Sequence, residues 1–159
     1  MKTFEQELLL FHDFKIIEKG HPVYHKNHNW TLFENGILLI IGKGNMEYAF
    51  DGDDNYYGLW LQHRNLVKGI ILSDGFTSIQ TDIFSYHKNL EWIYLPETFS
   101  MDSVQSYDYE YYFEGNSLKV IYGHHSSVNS SNFAKHCKVE FRGISNITDL
   151  LLQKVALNR

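Results

Sequence analysis

The chain has 159 residues, 43% of them apolar and 21% charged, the length and balance of one soluble globular domain able to sustain its own core. Its net charge of −5 argues against a binder of nucleic-acid phosphates, whose footprint is a basic patch. A single cysteine, Cys137, excludes an internal disulfide framework, and no apolar run approaches the roughly 20 residues of a membrane-spanning helix.

Aromatics reach 16% beside only two prolines, a bias toward strands and packed loops. In chain order, MKTFEQELLLFHDF has Glu5 and Glu7 where an export signal is basic, so a mature, cytoplasmic chain is expected. Thr3 and Gln6 have capping-box spacing, Phe4, Leu8 and Phe11 share one helical face, and Lys19-Gly20 supplies a stop. These residues predict an N-terminal helix. Residues 30–33 and 37–41 flank Glu34-Asn35-Gly36, which predicts a hairpin whose type I′ turn places both central residues at positive φ. Gly42-Lys43-Gly44 ends the second strand and lacks the following helix that a phosphate cradle needs. Residues 51–58, DGDDNYYG, read as an acidic surface loop.

From residue 66 the sequence repeats. Val67, Ile70 and Leu72 are followed by Ile79 and Phe84; Leu90, Ile93 and Leu95 by Val104 and Phe113; Leu118, Ile121 and Gly123 by Val128 and Phe133. The step is 23 residues from Val67 to Leu90 and 28 from Leu90 to Leu118. Such a period predicts a solenoid, in which each short strand and its return loop bury their apolar side only against neighbours. Residues 139–141 give a last, degenerate strand, and the extra length of the second unit, at 106–115, is a loop. Asn146 or Thr148 starts a C-terminal helix with Ile147, Leu150, Leu151 and Val155 at helical spacing. The expected fold is mixed α+β in one domain. Residues 1–64 form a helix and β-hairpin cap, 65–144 the repeats and 145–159 a capping helix, the caps covering the open ends.

The run NLVKGIILSDGFTSIQTDIFSYHKNLEWIYLPETF resembles leucine-rich repeats of the BspA-like (treponemal) type: Ser78-Ile79 is the "SI" step, Phe84 the aromatic, and Leu95-Pro96 closes the second strand. NWTLFENGILLIIGKGNM is similar to the segment that precedes such repeats in bacterial proteins. The resemblance spans about residues 29–141, and Gly123-His124-His125 departs from it in the third unit. It implies a leucine-rich-repeat solenoid used for binding or adhesion, in a family of mostly secreted or surface proteins that share no catalytic residues.

Two surfaces carry candidate binding residues. Tyr107, Tyr109, Tyr111 and Tyr112 interleave with acids, and with Asp51, Asp53 and Asp54 they make two acidic-aromatic segments; tyrosines add contact area at low entropic cost. On the strand face, Trp92, Tyr94 and Tyr122 occupy nearly equivalent, outward repeat positions and are expected to form an aromatic row, which is a binding surface if exposed and which cross-strand packing alone also explains. His21, His25 and His28, and His124, His125, His136 and Cys137, contain metal-ligating types but lack zinc-site spacing, and Cys137 reads as a buried wedge rather than a nucleophile. No metal, cofactor or catalytic residue is therefore expected. The expected function is non-catalytic binding of a protein with a basic surface, without membrane or direct nucleic-acid contact. In its sharper form the chain is an inhibitor of a nucleic-acid-binding protein, in the manner of phage anti-CRISPR proteins. A metal-dependent hydrolase using the histidines and a self-assembling scaffold stand as the alternatives.

Overall fold

Several strands of this chain are apolar at every position: Ile37-Leu38-Leu39-Ile40, Gly69-Ile70-Ile71-Leu72 and Trp92-Ile93-Tyr94. Runs of that kind belong to parallel strands covered on both faces, not to half-solvated ones that alternate. The computed structural model describes residues 14–20, 28–46, 60–79, 83–100 and 112–155. Among these the chain is mostly sheet, with few helices. Strands β1 (Ile16–Gly20), β2 (His28–Phe33), β3 (Ile37–Gly42), β5 (Gly69–Leu72), β7 (Trp92–Tyr94), β8 (Val120–His124) and β9 (Glu140–Ile144) form one seven-stranded sheet in the order β1-β2-β3-β5-β7-β8-β9. The first two pairs are antiparallel and the rest parallel. β4 (Gly44–Met46) and β6 (Phe76–Ile79) pair in a second, parallel two-stranded sheet.

The register of the parallel ladder defines two faces. Leu38, Ile70, Ile93, Ile121 and Phe141 stand side by side on one face. They line the main core with Trp60, Phe76, Phe84, Phe99 and Phe133. Leu39, Ile71, Tyr94, Tyr122 and Arg142 stand side by side on the other, as do Ile37, Gly69, Trp92, Val120 and Glu140.

The connections stack as the strands do. Where strands leave the sheet, Gly44 N donates to Gly75 O (2.8 Å), Gly75 N to Thr98 Oγ1 (2.8 Å) and Ser100 N to Thr77 O (3.0 Å). Where they enter, Glu91 N donates to Lys68 O, Lys119 N to Glu91 O (2.9 Å each) and Glu140 N to Lys119 O (3.2 Å). These bonds satisfy turn backbone that burial would otherwise leave unpaired. After β8 the return is a helix, α1 (Val128–His136), capped by Ser127, whose hydroxyl accepts from Ser130 N (3.2 Å). The second helix, α2 (Ile147–Val155), is capped by the Asn146 side chain, which accepts from Asp149 N (3.0 Å).

Two local expectations are corrected. Lys19-Gly20 ends no helix: it lies in β1, paired with Thr31 and Trp30 of β2; residues 1–13, where the helix was predicted, lie outside those described. The β2–β3 hairpin has a three-residue connection. Gly36 N donates to Phe33 O (3.0 Å) and Gly36 takes φ +86°, while Asn35 does not take positive φ. The Asn35 side chain instead accepts from Ile37 N (3.1 Å), which leaves one residue for glycine to accommodate rather than two. The α2 residues Ile147, Leu150 and Leu151 join one buried cluster with Ile71, Trp92, Tyr94 and Tyr122, and the helix packs beside the edge strand β9.

Candidate functional site

The strand-face row does come together, in register and in contact. Tyr94 and Tyr122 are direct neighbours on adjacent strands, and the Trp92 and Tyr122 rings meet edge-to-face at 6.1 Å. Gly69 makes the row feasible: a Cβ there would sit 2.0 Å from Cε2 of Trp92, so the indole occupies the space of the missing side chain. The row does not face solvent. Trp92, Tyr94 and Tyr122 are 5%, 7% and 0% exposed, enclosed by α2 together with Phe14, Phe33, Ile37 and Leu39. The row is thus cross-strand packing within a covered face, and the outward reading of these three residues is corrected. A face made of Ile, Leu, Val, Trp and Tyr is too apolar to stay wet, and the apolar side of α2 joins it. The unbroken apolar runs of β3 and β5 are the sequence signal for two covered faces.

The tyrosine-rich segment enters the described structure at its end. Tyr112 is buried, its ring 5.2 Å from that of Phe133, and Phe113 packs against the same ring at 6.3 Å. Tyr112 is therefore a core residue and not a contact residue. Tyr107, Tyr109 and Tyr111, like Asp51, Asp53 and Asp54, lie outside the described residues.

An aromatic that sequence reasoning passed over stands beside this point. Tyr86 is 55% exposed and takes φ +62°, in the left-handed region where a bulky side chain is strained. Its amide donates to Glu114 O (2.6 Å), and its ring lies where a Cβ on Gly115 would be, 2.6 Å from Cδ1. Two residues after the buried Tyr112, the chain thus holds Tyr86 out toward solvent. Strain of this kind persists where surrounding structure over-determines it, which makes Tyr86 a functional candidate. Phe84-Ser85-Tyr86-His87 carries no turn signal that announces it.

The histidines separate into different roles. His87 is fully buried; its Nε2 accepts from Trp60 Nε1–H (2.7 Å), and its Nδ1–H donates to Ser85 O (3.0 Å). Burial disfavours the imidazolium most strongly; the Ser85 and Phe84 carbonyls offset this in part, Arg64 adds to it slightly, and the pKa falls to about 4. His124 lies 3.4 Å from Glu97 Oε1 and stacks on His125 at 4.2 Å. Asp74 stands near Glu97, and burial, then that carboxylate, raise its pKa. His136 ends α1 on the exposed side, while burial pushes the Cys137 thiol up to about 12, keeping it protonated and a poor nucleophile. His28 begins β2, and His21 and His25 lie outside the described residues. Among the described residues no group of three or more His, Cys, Asp or Glu is arranged to hold a metal, and no helix is long and apolar enough to cross a membrane.

No family model and no curated protein matches the sequence. Among solved structures, the chain is similar to a leucine-rich repeat protein from Eubacterium ventriosum, at 15% identity and a TM-score of 0.45. That similarity covers 72% of this chain and 42% of the other, so this chain spans less than half the length of that protein.

Proposed function

We propose that the chain is a leucine-rich-repeat module, a short solenoid with its ends capped, that binds a protein partner and performs no catalysis. The 23-residue step from Ile70 to Ile93, realised as neighbouring parallel strands with stacked turns, supports the repeat reading. The observation that carries the binding reading is Tyr86, an exposed, strained aromatic held by Glu114 and Gly115. It stands next to the point where the segment bearing Tyr107, Tyr109 and Tyr111 joins the core. Tyrosines displayed on a rigid frame concentrate binding energy. With the strand face occupied by α2, this side replaces Trp92, Tyr94 and Tyr122 as the contact surface. The narrower reading, an inhibitor covering a basic groove, draws its support from the net charge of −5 and the acids Asp51, Asp53 and Asp54.

The test is capture of the partner from source lysate with the intact chain, followed by affinity measurements on the purified pair. Tyr86→Ala and a Tyr107/Tyr109/Tyr111→Ala variant are each expected to weaken binding about 10-fold or more, while Tyr122→Phe binds as the parent does. Asp51/Asp53/Asp54→Asn is expected to slow association and flatten its salt dependence if the partner is basic. Affinity indifferent to both tyrosine variants would overturn the reading.

A further inference from the structure

Among the described residues, the main core contains one ionisable side chain that is fully buried, His87, and its bond to Trp60 admits one protonation state. Trp60 Nε1–H is a donor with no acceptor capacity, so Nε2 of His87 must keep its lone pair; Ser85 O is an acceptor, so Nδ1 must carry the hydrogen. A proton on Nε2 would set two N–H donors against each other at 2.7 Å. The Ser85 and Phe84 carbonyls favour the protonated ring in part, yet burial outweighs them, and among the described residues no carboxylate adds to them. Among the described residues the charged group acting on the ring is Arg64, from the 3₁₀ segment Trp60–Leu66, and its charge opposes protonation. Lys88, next in the chain, and Glu114, whose carbonyl holds Tyr86, are exposed.

Trp60 is the anchor of that 3₁₀ segment. Its ring is fully buried between Trp30 (6.3 Å) and Phe84 (6.0 Å), whereas Gln62, Arg64, Asn65 and Leu66 are exposed. Beyond Trp60, Gln62 and His63 reach Glu18 of β1. Short 3₁₀ segments have poor internal hydrogen bonding and depend on such attachments. The parallel ladder, by contrast, is held by its own backbone bonds, none of which involves His87.

We infer that His87 and Trp60 form an acid-operated latch: a solvent proton taken up at His87 Nε2 breaks the bond to Trp60 and releases the 3₁₀ segment from the core while the parallel strands stay paired. The sign follows from linkage. Freed imidazole has its ordinary pKa near 6.5 and the latched ring a pKa of about 4, so the open form binds more protons, and opening is favoured as pH falls through that window.

Hydrogen exchange on the intact chain, corrected for the intrinsic pH dependence of amide exchange, tests this. Between pH 7 and pH 4.5 the open population of the 60–66 amides should rise roughly fiftyfold, with the β5, β7 and β8 amides unchanged. His87→Gln, which offers Trp60 an acceptor that does not titrate, should abolish the rise. An equal rise in the variant, or one shared by the whole ladder in the parent, overturns the latch. Imidazole nitrogen NMR of the unmodified chain is a second readout, independent of any variant's folding. It should find the neutral ring protonated at Nδ1 and titrating well below the ordinary range; a proton on Nε2, or titration near 6.5, overturns it.

Discussion

Gly69→Ala probes the packing of the covered face. The added methyl would lie 2.0, 2.1 and 2.6 Å from Cε2, Cζ2 and Nε1 of Trp92, well inside carbon contact distance, so the indole must move. It has little room, being 5% exposed and packed edge-on against Tyr122. Overpacking of this kind costs about 1–3 kcal/mol, and the ring's confinement places the cost near the upper end. Replacing glycine within a strand returns about 0.5–1 kcal/mol of backbone entropy. The net expectation is a loss of about 2 kcal/mol, or roughly 4–8 °C in Tm for a chain of this size. Urea unfolding of the parent, Gly69→Ala, Trp92→Ala and the double variant closes a cycle. Without the indole, the methyl at 69 should be neutral or stabilising by about 0.5–1 kcal/mol, giving a coupling of about 2–3 kcal/mol. Gly44→Ala is the control: nothing lies within 4 Å of its Cβ, and φ is +78°, so it should cost about 1–2 kcal/mol of backbone strain whatever stands at 92. An equal cost for Gly69→Ala in both backgrounds would refute the claim that the Trp92 ring fills the glycine's place.

Leu150 is fully buried on the sheet side of α2; Leu150→Ala should cost about 2–5 kcal/mol in denaturant unfolding and shift tryptophan emission to the red as Trp92 becomes wetter. Ser127→Ala removes the hydroxyl that accepts from Ser130 N and should cost about 1 kcal/mol in the same assay. Asp74 has a raised pKa, so its protonation is favoured in the folded chain. Its unfavourable contribution is present at neutral pH and fades as pH falls through the folded value. Asp74→Asn should therefore raise Tm slightly at pH 7, within about 0.5 kcal/mol, with the gain vanishing in acid. With its thiol pushed up to about 12, Cys137 should react with a thiol reagent at pH 8 far more slowly in the folded chain than in urea, and equal rates would contradict its burial.

The repeat was readable in the linear chain because it is written in spacing. Ile70, Ile93 and Ile121, picked out by their recurrence, are neighbours in the ladder, and each strand's apolar side is useless until another covers it. The β2–β3 hairpin was legible for a similar reason: its turn chemistry is local, even though Gly36 alone takes positive φ. Which face of the sheet meets water was not legible. Strand alternation assigns Trp92, Tyr94 and Tyr122 to one side but is silent on whether a helix 25 residues beyond Tyr122 (at Ile147) returns to cover them; that depends on contacts distant in sequence. Tyr86 and His87 show the same division at adjacent positions. Both are ordinary residues in a short polar stretch, yet one is held outward in a strained conformation by Gly115 and the other is sealed against Trp60. Period and turn chemistry are properties of neighbours along the chain, and the sequence determined them. Exposure, protonation state and the identity of the available surface depend on what packs from elsewhere, and only the tertiary structure decided those.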